Sequence, residues 1–243
     1  SSYIFAASVT QIYVPLVTGE CLHILPPTIS QNSHLLFNWF NKNPNFGLYT
    51  VPTLWEEHMI YAKANTIKLP AFLVITGEEL KEKLVTDTFD YDSNITIWNL
   101  YGPTETVANI TYTKVLRNKP INIGKPLEGS YAIIIDEHTN DISNNNLGEL
   151  CVSGPGVSKG YYNNETLNKK HFTEINGKRY YRTGDIVKLE ENNNYTFLGR
   201  KDRQVKVNGV RIELGEIESV LNSIEGVRES LVMVNLTGGY DNR

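Results

Sequence analysis

The sequence predicts an α/β fold that is followed by a mostly β region and then by a helix. Apolar strand-like segments alternate with helical spacing from Ile4 to about Leu116. From 121 to 199 the pattern changes to short apolar runs separated by Asn and Gly clusters such as "SNNNLG" and "EENNN". The charged stretch 200–206 then precedes an amphipathic segment, and we interpret it as a change of domain.

The first region combines short apolar runs with longer segments of helical periodicity. Pro52 suits the first turn of a helix, with Thr53 or the preceding turn available as its cap. Strands are predicted at 21–25 ("CLHIL"), 71–75 ("AFLVI") and 95–100 ("ITIWNL"), and helices from Ser33 to Asn41 and from Pro52 to Ala64. This alternation favours a parallel or mixed sheet covered by helices.

The second region consists of short strands divided by solvated asparagine turns, because Asn tolerates left-handed backbone geometry at little cost. Its strands are predicted in "YAIIID", "GELCVSG", "YYRTGDIVKL" and "YTFLG". In the last segment, Gly226 is a helix stop signal and "SLVMVNL" reads as a strand. One helical face carries Leu214, Ile217, Val220, Leu221 and Ile224.

Composition narrows the function classes. The 243 residues are 40% hydrophobic with a net charge of −4, which indicates a globular chain and disfavours nucleic acid and anionic membrane surfaces as partners. Cys21 and Cys151 lie among apolar residues and are predicted to be buried, without a disulfide. The five histidines show no metal-ligand spacing. With no signal peptide or membrane-spanning run, a cytoplasmic location is expected.

Three stretches suggest a specific chemistry: "NLYGPTE" (99–105), "YRTGD" (181–185) and "GRKDRQVKVNGVRIELGEIE" (199–218). Separately they could be a turn, an exposed carboxylate and a solvated charge run. Together and in this order they resemble the core motifs of adenylate-forming enzymes, in particular the adenylation domains of nonribosomal peptide synthetases. The segments "FAASVTQIYVPLVTGECLHIL", "ITGEEL", "NIGKPLEGSYAIIID" and "GELCVSGPGVSKGYYN" are also similar, so the resemblance covers nearly the whole chain.

The resemblance implies the second half of a large N-terminal domain, made of a mixed sheet with helices plus a small β-barrel-like subdomain. The start of a small α+β C-terminal subdomain follows. We expect an α/β subdomain with the acyl pocket and adenine site at 1–120, a β-rich subdomain at 121–201, and the C-terminal start at 202–243. The family's phosphate loop is expected upstream and its catalytic lysine downstream. Residues 1–243 alone are therefore expected to be inactive. The rest of the adenylation domain is expected either on a separate polypeptide or after a domain inserted beyond residue 243.

The resemblance also implies a site for adenosine. Tyr101 offers an aromatic face for adenine, and Asn99 offers an amide that can pair with the edge of the base. Gly77 allows the backbone to approach the nucleotide closely. Asp185 can accept hydrogen bonds from both ribose hydroxyls, with Arg200 as a neighbouring donor.

At the phosphate side, Thr104 can donate to the α-phosphate, and Glu105 suits the Mg²⁺ that accompanies ATP. Asp202 matches the hinge about which family members rotate the small subdomain between the two half-reactions. Gly209 would lie in the loop near the phosphopantetheine arm of a peptidyl carrier protein. Partners are thus a small carboxylic acid, that carrier protein, and the remainder of the adenylation domain and synthetase.

The acyl pocket departs from the family pattern. The family's "F-D-x-S" stretch reads "FAAS" here, so Ala6 replaces the aspartate that binds the α-ammonium of an amino acid. An ammonium buried there without a counter-charge would cost several kcal/mol. The substrate is therefore predicted to lack an α-amino group, with a branched aliphatic 2-oxo or 2-hydroxy acid first and an aryl acid second. The uncharged pocket positions are Ala6, Ala7, Thr10, Tyr49, Val74, Thr76, Leu100, Ala108 and Asn109.

Alternatives remain at this point. Another acid could replace the missing aspartate, or the local alignment could be shifted. An acyl- or aryl-CoA ligase is a second enzyme class, disfavoured by Leu214, where such ligases usually have Pro. A degenerate scaffold domain is a third possibility, disfavoured because Tyr101, Glu105 and Asp185 are all retained.

Overall fold

The structure is a computed structural model that describes residues 5–136, 141–207 and 210–234. Helices are α1 (Ala7–Val17), α2 (Pro27–Ser30), α3 (Ser33–Lys42), α4 (Pro52–Asn65), α5 (Glu82–Tyr91), α6 (Glu165–His171) and α7 (Leu214–Asn222). Strands are β1 (Leu48–Thr50), β2 (Phe72–Thr76), β3 (Thr96–Tyr101), β4 (Thr111–Val115), β5 (Lys125–Pro126), β6 (Tyr131–Ile135), β7 (Leu147–Ser153), β8 (Phe172–Ile175), β9 (Lys178–Leu189), β10 (Tyr195–Arg200), β11 (Gln204–Val207) and β12 (Val210–Glu213).

The first sheet is mixed, as the alternating pattern predicts. Its order is β1-β2-β3-β4-β5, in which β1, β2 and β3 are parallel and the last two strands run antiparallel. Apolar residues of α3, α4 and α5 pack with strand residues in one core that includes Phe37, Trp55, Leu73 and Ile97. The helices predicted from Ser33 and Pro52 and the strands predicted near 71–75 and 95–100 are confirmed.

A carboxylate caps α4. Pro52 occupies the first turn as predicted, but the N-cap residue Val51 has no capping side chain. Glu78, which follows β2, accepts hydrogen bonds from the Thr53 amide at 3.1 Å and from its hydroxyl at 3.2 Å. A negative charge at a helix N-terminus is stabilising, so this contact fixes the loop after β2.

The second sheet is antiparallel and open, with the order β10-β9-β7-β6 and β8 paired to β9. Its four predicted strands are confirmed. Within the described residues this sheet does not close into a barrel, because β10 and β6 end it at opposite sides and do not pair. A core containing Ile110, Leu150 and Tyr181 joins this sheet to the end of the first one. Asn146 and Asn193 adopt left-handed backbone angles in the turns, as predicted.

Two predicted strands are wrong. Residues 21–25 form no strand, and none of the described strands pairs with them. Cys21 is exposed and not buried as predicted. His23 packs there against Trp39 and Phe46. Residues 230–234 of the final predicted strand also lack a strand partner, and the rest of that segment lies outside the described residues.

The hairpin β11–β12 and α7 follow the second sheet. Leu214 is buried, whereas the other four residues of the predicted apolar face are exposed or nearly so. Cys151, in contrast to Cys21, is buried as predicted. Among the helices that the structure describes, none has the length and apolarity needed to cross a membrane.

Candidate active site

A tight loop connects β3 to β4 and carries several predicted site residues. It closes where the Ile110 amide donates to the Tyr101 carbonyl at 2.7 Å. A side chain at Gly102 would lie 2.6 Å from the Ala108 carbonyl oxygen, so only glycine fits this turn. Val107 and Ala108 have φ angles of 56° and 75°. Such angles cost a non-glycine residue about 1–3 kcal/mol each and tend to cluster at functional sites.

Tyr101 and Asp185 meet across the two sheets. The Tyr101 hydroxyl at the end of β3 donates to the Asp185 carboxylate on β9. Arg200, at the end of β10, places Nη1 2.7 Å from the other Asp185 oxygen. The same guanidinium forms a two-pronged pair with Asp202, with Nε–Oδ1 2.7 Å and Nη2–Oδ2 2.6 Å. One connected group therefore contains Asp185, predicted to bind the ribose, its neighbouring donor Arg200, and the predicted hinge residue Asp202.

The centre of this group is shielded from solvent, whereas Asp202 at its edge is exposed. Asp185 is 6% exposed, and burial raises the pKa of its carboxyl while the Arg200 guanidinium opposes that rise. Burial and the Asp185 charge raise the pKa of Tyr101 well above its ordinary value. Tyr101 therefore keeps its proton at neutral pH and acts as a donor to the carboxylate.

The "TGD" segment lies within β9, and Gly184 and Glu149 determine its local backbone conformation. Gly184 has a φ of +73°, and a side chain there would lie 2.8 Å from Arg200 Nη2. Glu149 is buried, and one of its oxygens accepts a hydrogen bond from the Gly184 amide at 3.2 Å. Its other oxygen forms an ion pair with Arg182 at 2.5 Å. Thr183 accepts from the Asp185 amide at 3.0 Å. These contacts fix the orientation of the Asp185 carboxylate.

Glu105 lies in a 3₁₀ turn (Thr104–Thr106) and is 9% exposed. Arg211 Nη1, from β12, lies 3.0 Å from Oε1 and 2.9 Å from Oε2, and the Tyr161 hydroxyl donates to Oε1 at 2.5 Å. Burial alone would raise the pKa of Glu105, but the Tyr161 hydrogen bond and the Arg211 charge hold it below its ordinary value. With both oxygens engaged, this arrangement does not accommodate Mg²⁺.

The other predicted nucleotide residues occupy the same edge of the first sheet. Thr104 is exposed beside Glu105. Gly77 has a φ of +93° directly after β2. Asn99 is buried on β3 and donates its amide to the Asn122 carbonyl at 2.9 Å. Its role toward adenine stays a prediction.

Four predicted pocket residues meet in one hydrogen-bond network. Asn109 Nδ2 donates to Thr10 at 2.8 Å and to the Tyr49 hydroxyl at 3.2 Å. Thr76 Oγ1 lies 3.0 Å from Asn109 Oδ1 and 2.7 Å from the Leu100 carbonyl oxygen. Together with Leu100 on β3, these four residues come from α1, β1, β2 and the β3–β4 loop. We refer to Thr10, Tyr49, Thr76 and Asn109 as the neutral network.

The neutral network carries no formal charge at physiological pH. Burial raises the pKa of Tyr49, which keeps its hydroxyl protonated. Ala6 and Ala7 lie at the start of α1, one turn before Thr10, and Val74 is two residues before Thr76 on β2. Ala108 directly precedes Asn109. The predicted carrier-arm residue Gly209 lies outside the described residues.

Sequence reasoning missed Arg211 and Tyr161 as site residues. Both lie within segments that carry the family resemblance, "RIELGEIE" and "KGYYN", but no pattern within them indicates a contact to Glu105. Their sequence distances to Glu105 are 106 and 56 residues, so only the fold reveals this cluster. Among the described residues, no group of three His, Cys, Asp or Glu side chains could hold a metal ion.

Comparisons with known proteins identify the family of the chain. A family model described as AMP-binding enzyme matches residues 1–162. Zwittermicin A synthase ZmaJ of Bacillus cereus is 31% identical over 96% of this chain and 46% of its own length. The D-alanine–D-alanyl carrier protein ligase of Lacticaseibacillus casei is 32% identical over 94% of this chain and 46% of its own.

Solved structures have the same fold. NpsA-ThdA, an artificially fused adenylation–PCP di-domain from Klebsiella oxytoca, superposes with a TM-score of 0.81 at 25% identity, over 98% of this chain and 46% of that one. The chain thus spans about half the length of several relatives that it matches. By its matched family model, this chain belongs to the AMP-binding enzymes, and it is similar to an adenylation–PCP di-domain of nonribosomal peptide synthesis.

Proposed function

We propose that the chain is part of an enzyme that uses ATP to activate a carboxylic acid as acyl-AMP and passes the acyl group to a carrier protein. One observation carries the proposal. Tyr101 and Arg200, predicted from separate segments to bind adenosine with Asp185, converge on the buried Asp185 carboxylate. The relatives that act on carrier proteins are about twice as long as this chain, so the activity is assigned to the whole protein.

The chemistry requires positioning rather than a general base. A carboxylic acid with a pKa of about 4 is already ionised at neutral pH, so it can attack the α-phosphorus directly while pyrophosphate leaves. Two anions must then be held together and the developing charge neutralised. In this proposal Tyr101, Asn99 and Asp185 hold the adenosine and Thr104 donates to the α-phosphate. Mg²⁺ would accompany ATP and neutralise charge on its phosphates, but Glu105, predicted as its ligand, is engaged by Arg211 and Tyr161 and does not hold it in this arrangement.

The acid substrate is proposed to lack an α-amino group. Ala6 offers a methyl group where the family has a carboxylate, and the neutral network beyond it supplies only hydroxyl and amide groups. An ammonium buried in such a site would cost several kcal/mol. A branched aliphatic 2-oxo or 2-hydroxy acid is the first candidate and an aryl acid the second.

The second half-reaction would transfer the acyl group to the phosphopantetheine thiol of a peptidyl carrier protein. Asp202 is proposed as the hinge between residues 1–201 and the C-terminal part. Its paired contact with Arg200 supports this role, because it joins the end of β10 to the start of the hairpin. A cytoplasmic location fits the expected access to ATP.

Acid-dependent exchange of labelled pyrophosphate into ATP tests the proposal on the full-length protein that contains this chain. Panels of amino, 2-oxo, 2-hydroxy and aryl acids should show exchange with an amine-free acid and little with amino acids. If an ordinary L-amino acid supports the fastest exchange, the substrate assignment is wrong. If no acid supports exchange, the scaffold alternative replaces the enzyme.

A further inference from the structure

Strand β9 loses its regular pairing at the "TGD" segment, residues 183–185. On the β7 side, the register shifts so that Leu150 alone lies opposite this segment. On the β10 side, the register shifts between Phe197 and Gly199. Such irregularities leave backbone amides without a partner in the sheet, and buried amides then need another acceptor. The "TGD" segment therefore depends on side chains for its hydrogen bonds.

Two side chains supply those acceptors. The Asp185 amide donates to Thr183 Oγ1 at 3.0 Å, and the Thr183 hydroxyl donates in turn to the Leu150 carbonyl at 2.8 Å. The Gly184 amide donates to Glu149 Oε1 at 3.2 Å. Gly184 reaches this orientation with a φ of +73°, which a residue with a side chain rarely adopts. Glu149 is therefore the acceptor that fixes the backbone directly before Asp185.

The two oxygens of Glu149 have separate partners. Oε1 faces the Gly184 amide, whereas Oε2 accepts from Arg182 Nε at 3.1 Å and from its Nη2 at 2.5 Å. Glu149 is 4% exposed, so an unpaired charge there would be costly. Arg182 compensates for burying this charge, and Oε1 stays available for the backbone. The ion pair and the backbone contact can therefore be removed separately.

Asp185 keeps acceptor positions for a ligand. An ionised carboxylate has about four lone-pair sites on its two oxygens. Among the residues that the structure describes, Arg200 donates to Oδ1 and the Tyr101 hydroxyl donates to Oδ2, so one site is left on each oxygen. These sites equal in number the hydroxyl groups that a ribose offers. Their direction is set by the backbone that Gly184 and Glu149 hold.

We propose that Glu149 is a positioning residue for ribose recognition. It holds the "TGD" segment through the Gly184 amide and thereby aims the Asp185 carboxylate at both ribose hydroxyls. The protein then discriminates a ribonucleotide from a nucleotide that lacks these hydroxyls. This inference rests on the proposed function, because it takes Asp185 as the acceptor for the ribose. Glu149 contacts no nucleotide in this proposal and acts through the backbone.

Three variants separate positioning from stability. Glu149→Gln has a single accepting oxygen, which the Arg182 guanidinium attracts, so that the amide nitrogen faces the Gly184 amide and repels it. Arg182→Gln is the matched control, since it removes the ion pair at Oε2 and keeps the Gly184 contact at Oε1. Glu149→Asp keeps the charge but shortens the side chain by one methylene group, and it provides a second measurement if Glu149→Gln folds poorly.

The experiment compares AMP with 2′,3′-dideoxy-AMP, which lacks both ribose hydroxyls, by calorimetric titration into the full-length protein that contains this chain. The wild type should bind AMP at least about tenfold more tightly, because hydrogen bonds to a charged group are strong. Glu149→Gln should lower the AMP affinity about fivefold or more and leave the dideoxy-AMP affinity unchanged. Arg182→Gln should lower the urea midpoint of unfolding and keep the wild-type preference for AMP.

Two results would overturn the inference and leave the proposed function standing, provided that Asp185→Asn abolishes the preference for AMP. If Glu149→Gln weakens both nucleotides by the same factor, or weakens neither, Glu149 does not position Asp185. If Arg182→Gln removes the preference as fully as Glu149→Gln does, the ion pair carries the effect and the Gly184 contact does not. If Asp185→Asn itself leaves the preference unchanged, Asp185 is not the ribose acceptor, and that part of the proposed function fails as well.

Discussion

The two sides of the candidate site differ in how they are stabilised. On one side, Arg200 lies between Asp185 and Asp202, and Arg211 pairs with Glu105, so ion pairs dominate. On the other side, the Asn109 side chain connects the hydroxyl groups of Thr10, Tyr49 and Thr76. The same β3–β4 loop separates them, with Tyr101 at its start and Asn109 at its end. Among these described residues, those proposed to bind the nucleotide are charged, and those of the neutral network proposed to bind the acid are not.

The largest expected effect comes from removing one charge on the nucleotide side. Asp185→Asn leaves the largely buried Arg200 with Asp202 alone and should lower the free energy of unfolding by about 3 kcal/mol. Nucleotide affinity should fall as well. Urea unfolding and calorimetric AMP binding measure the two effects.

Asp90→Asn is the control for that substitution. Asp90 pairs with Arg117 at 2.7 Å on the surface, where both side chains are about half exposed. Its loss should cost less than about 1 kcal/mol. Equal destabilisation by the two substitutions would show that the buried ion pairs contribute no more to the free energy of unfolding than the exposed one.

On the neutral side, Asn109→Leu should lower the free energy of unfolding by about 2 kcal/mol, because Thr10, Tyr49 and Thr76 lose a shared partner. Tyr49→Phe in the Asn109→Leu background should add less than it does alone, which a double-mutant cycle measures. Asn65→Leu, an exposed asparagine at the end of α4, should stay within about 0.5 kcal/mol. Additive effects of Tyr49 and Asn109 would mean that they do not form one network.

Introducing charge on the neutral side tests the contrast directly. Ala6→Asp should raise pyrophosphate exchange with the matching amino acid, relative to the amine-free acid, by about ten- to a hundredfold. That factor corresponds to a charged hydrogen bond of about 1.5–3 kcal/mol. Ala6→Ser is the uncharged control. An unchanged preference in Ala6→Asp would show that residue 6 does not face the α-substituent.

The smallest effect is a pH dependence specific to the charged side. The folded-state pKa of Glu105 lies below its ordinary value of 4.5, so the unfolded chain binds more protons as this group titrates. Its stabilising contribution is present above about pH 4.5 and is lost as pH falls through the folded pKa. Urea unfolding from pH 7 to pH 3 should therefore show a steeper acid decline for the wild type than for Glu105→Gln. Parallel curves would contradict this pairing.

Prediction from sequence succeeded where local pattern and chemistry agree. Apolar periodicity located α3, α4 and the strands β2 and β3, and it identified four strands of the second sheet. It failed at 21–25 and 230–234, because an apolar run becomes a strand only if a neighbouring strand pairs with it. The family motifs predicted that Tyr101 and Asp185 belong to one site, and the two side chains are in contact. They did not reveal Arg211, since an ion pair across 106 residues depends on how a hairpin docks.

A charged cleft is proposed to bind the nucleotide, and the neutral network is proposed to bind an acid without an α-amino group. The most direct measurement compares two non-hydrolysable acyl-sulfamoyl adenosines that differ only in carrying a 2-hydroxy or a 2-amino group, titrated into the full-length protein by calorimetry. We expect the 2-hydroxy analogue to bind at least about tenfold more tightly, because an unpaired buried ammonium costs more than 1.4 kcal/mol. Equal or tighter binding of the 2-amino analogue would contradict it.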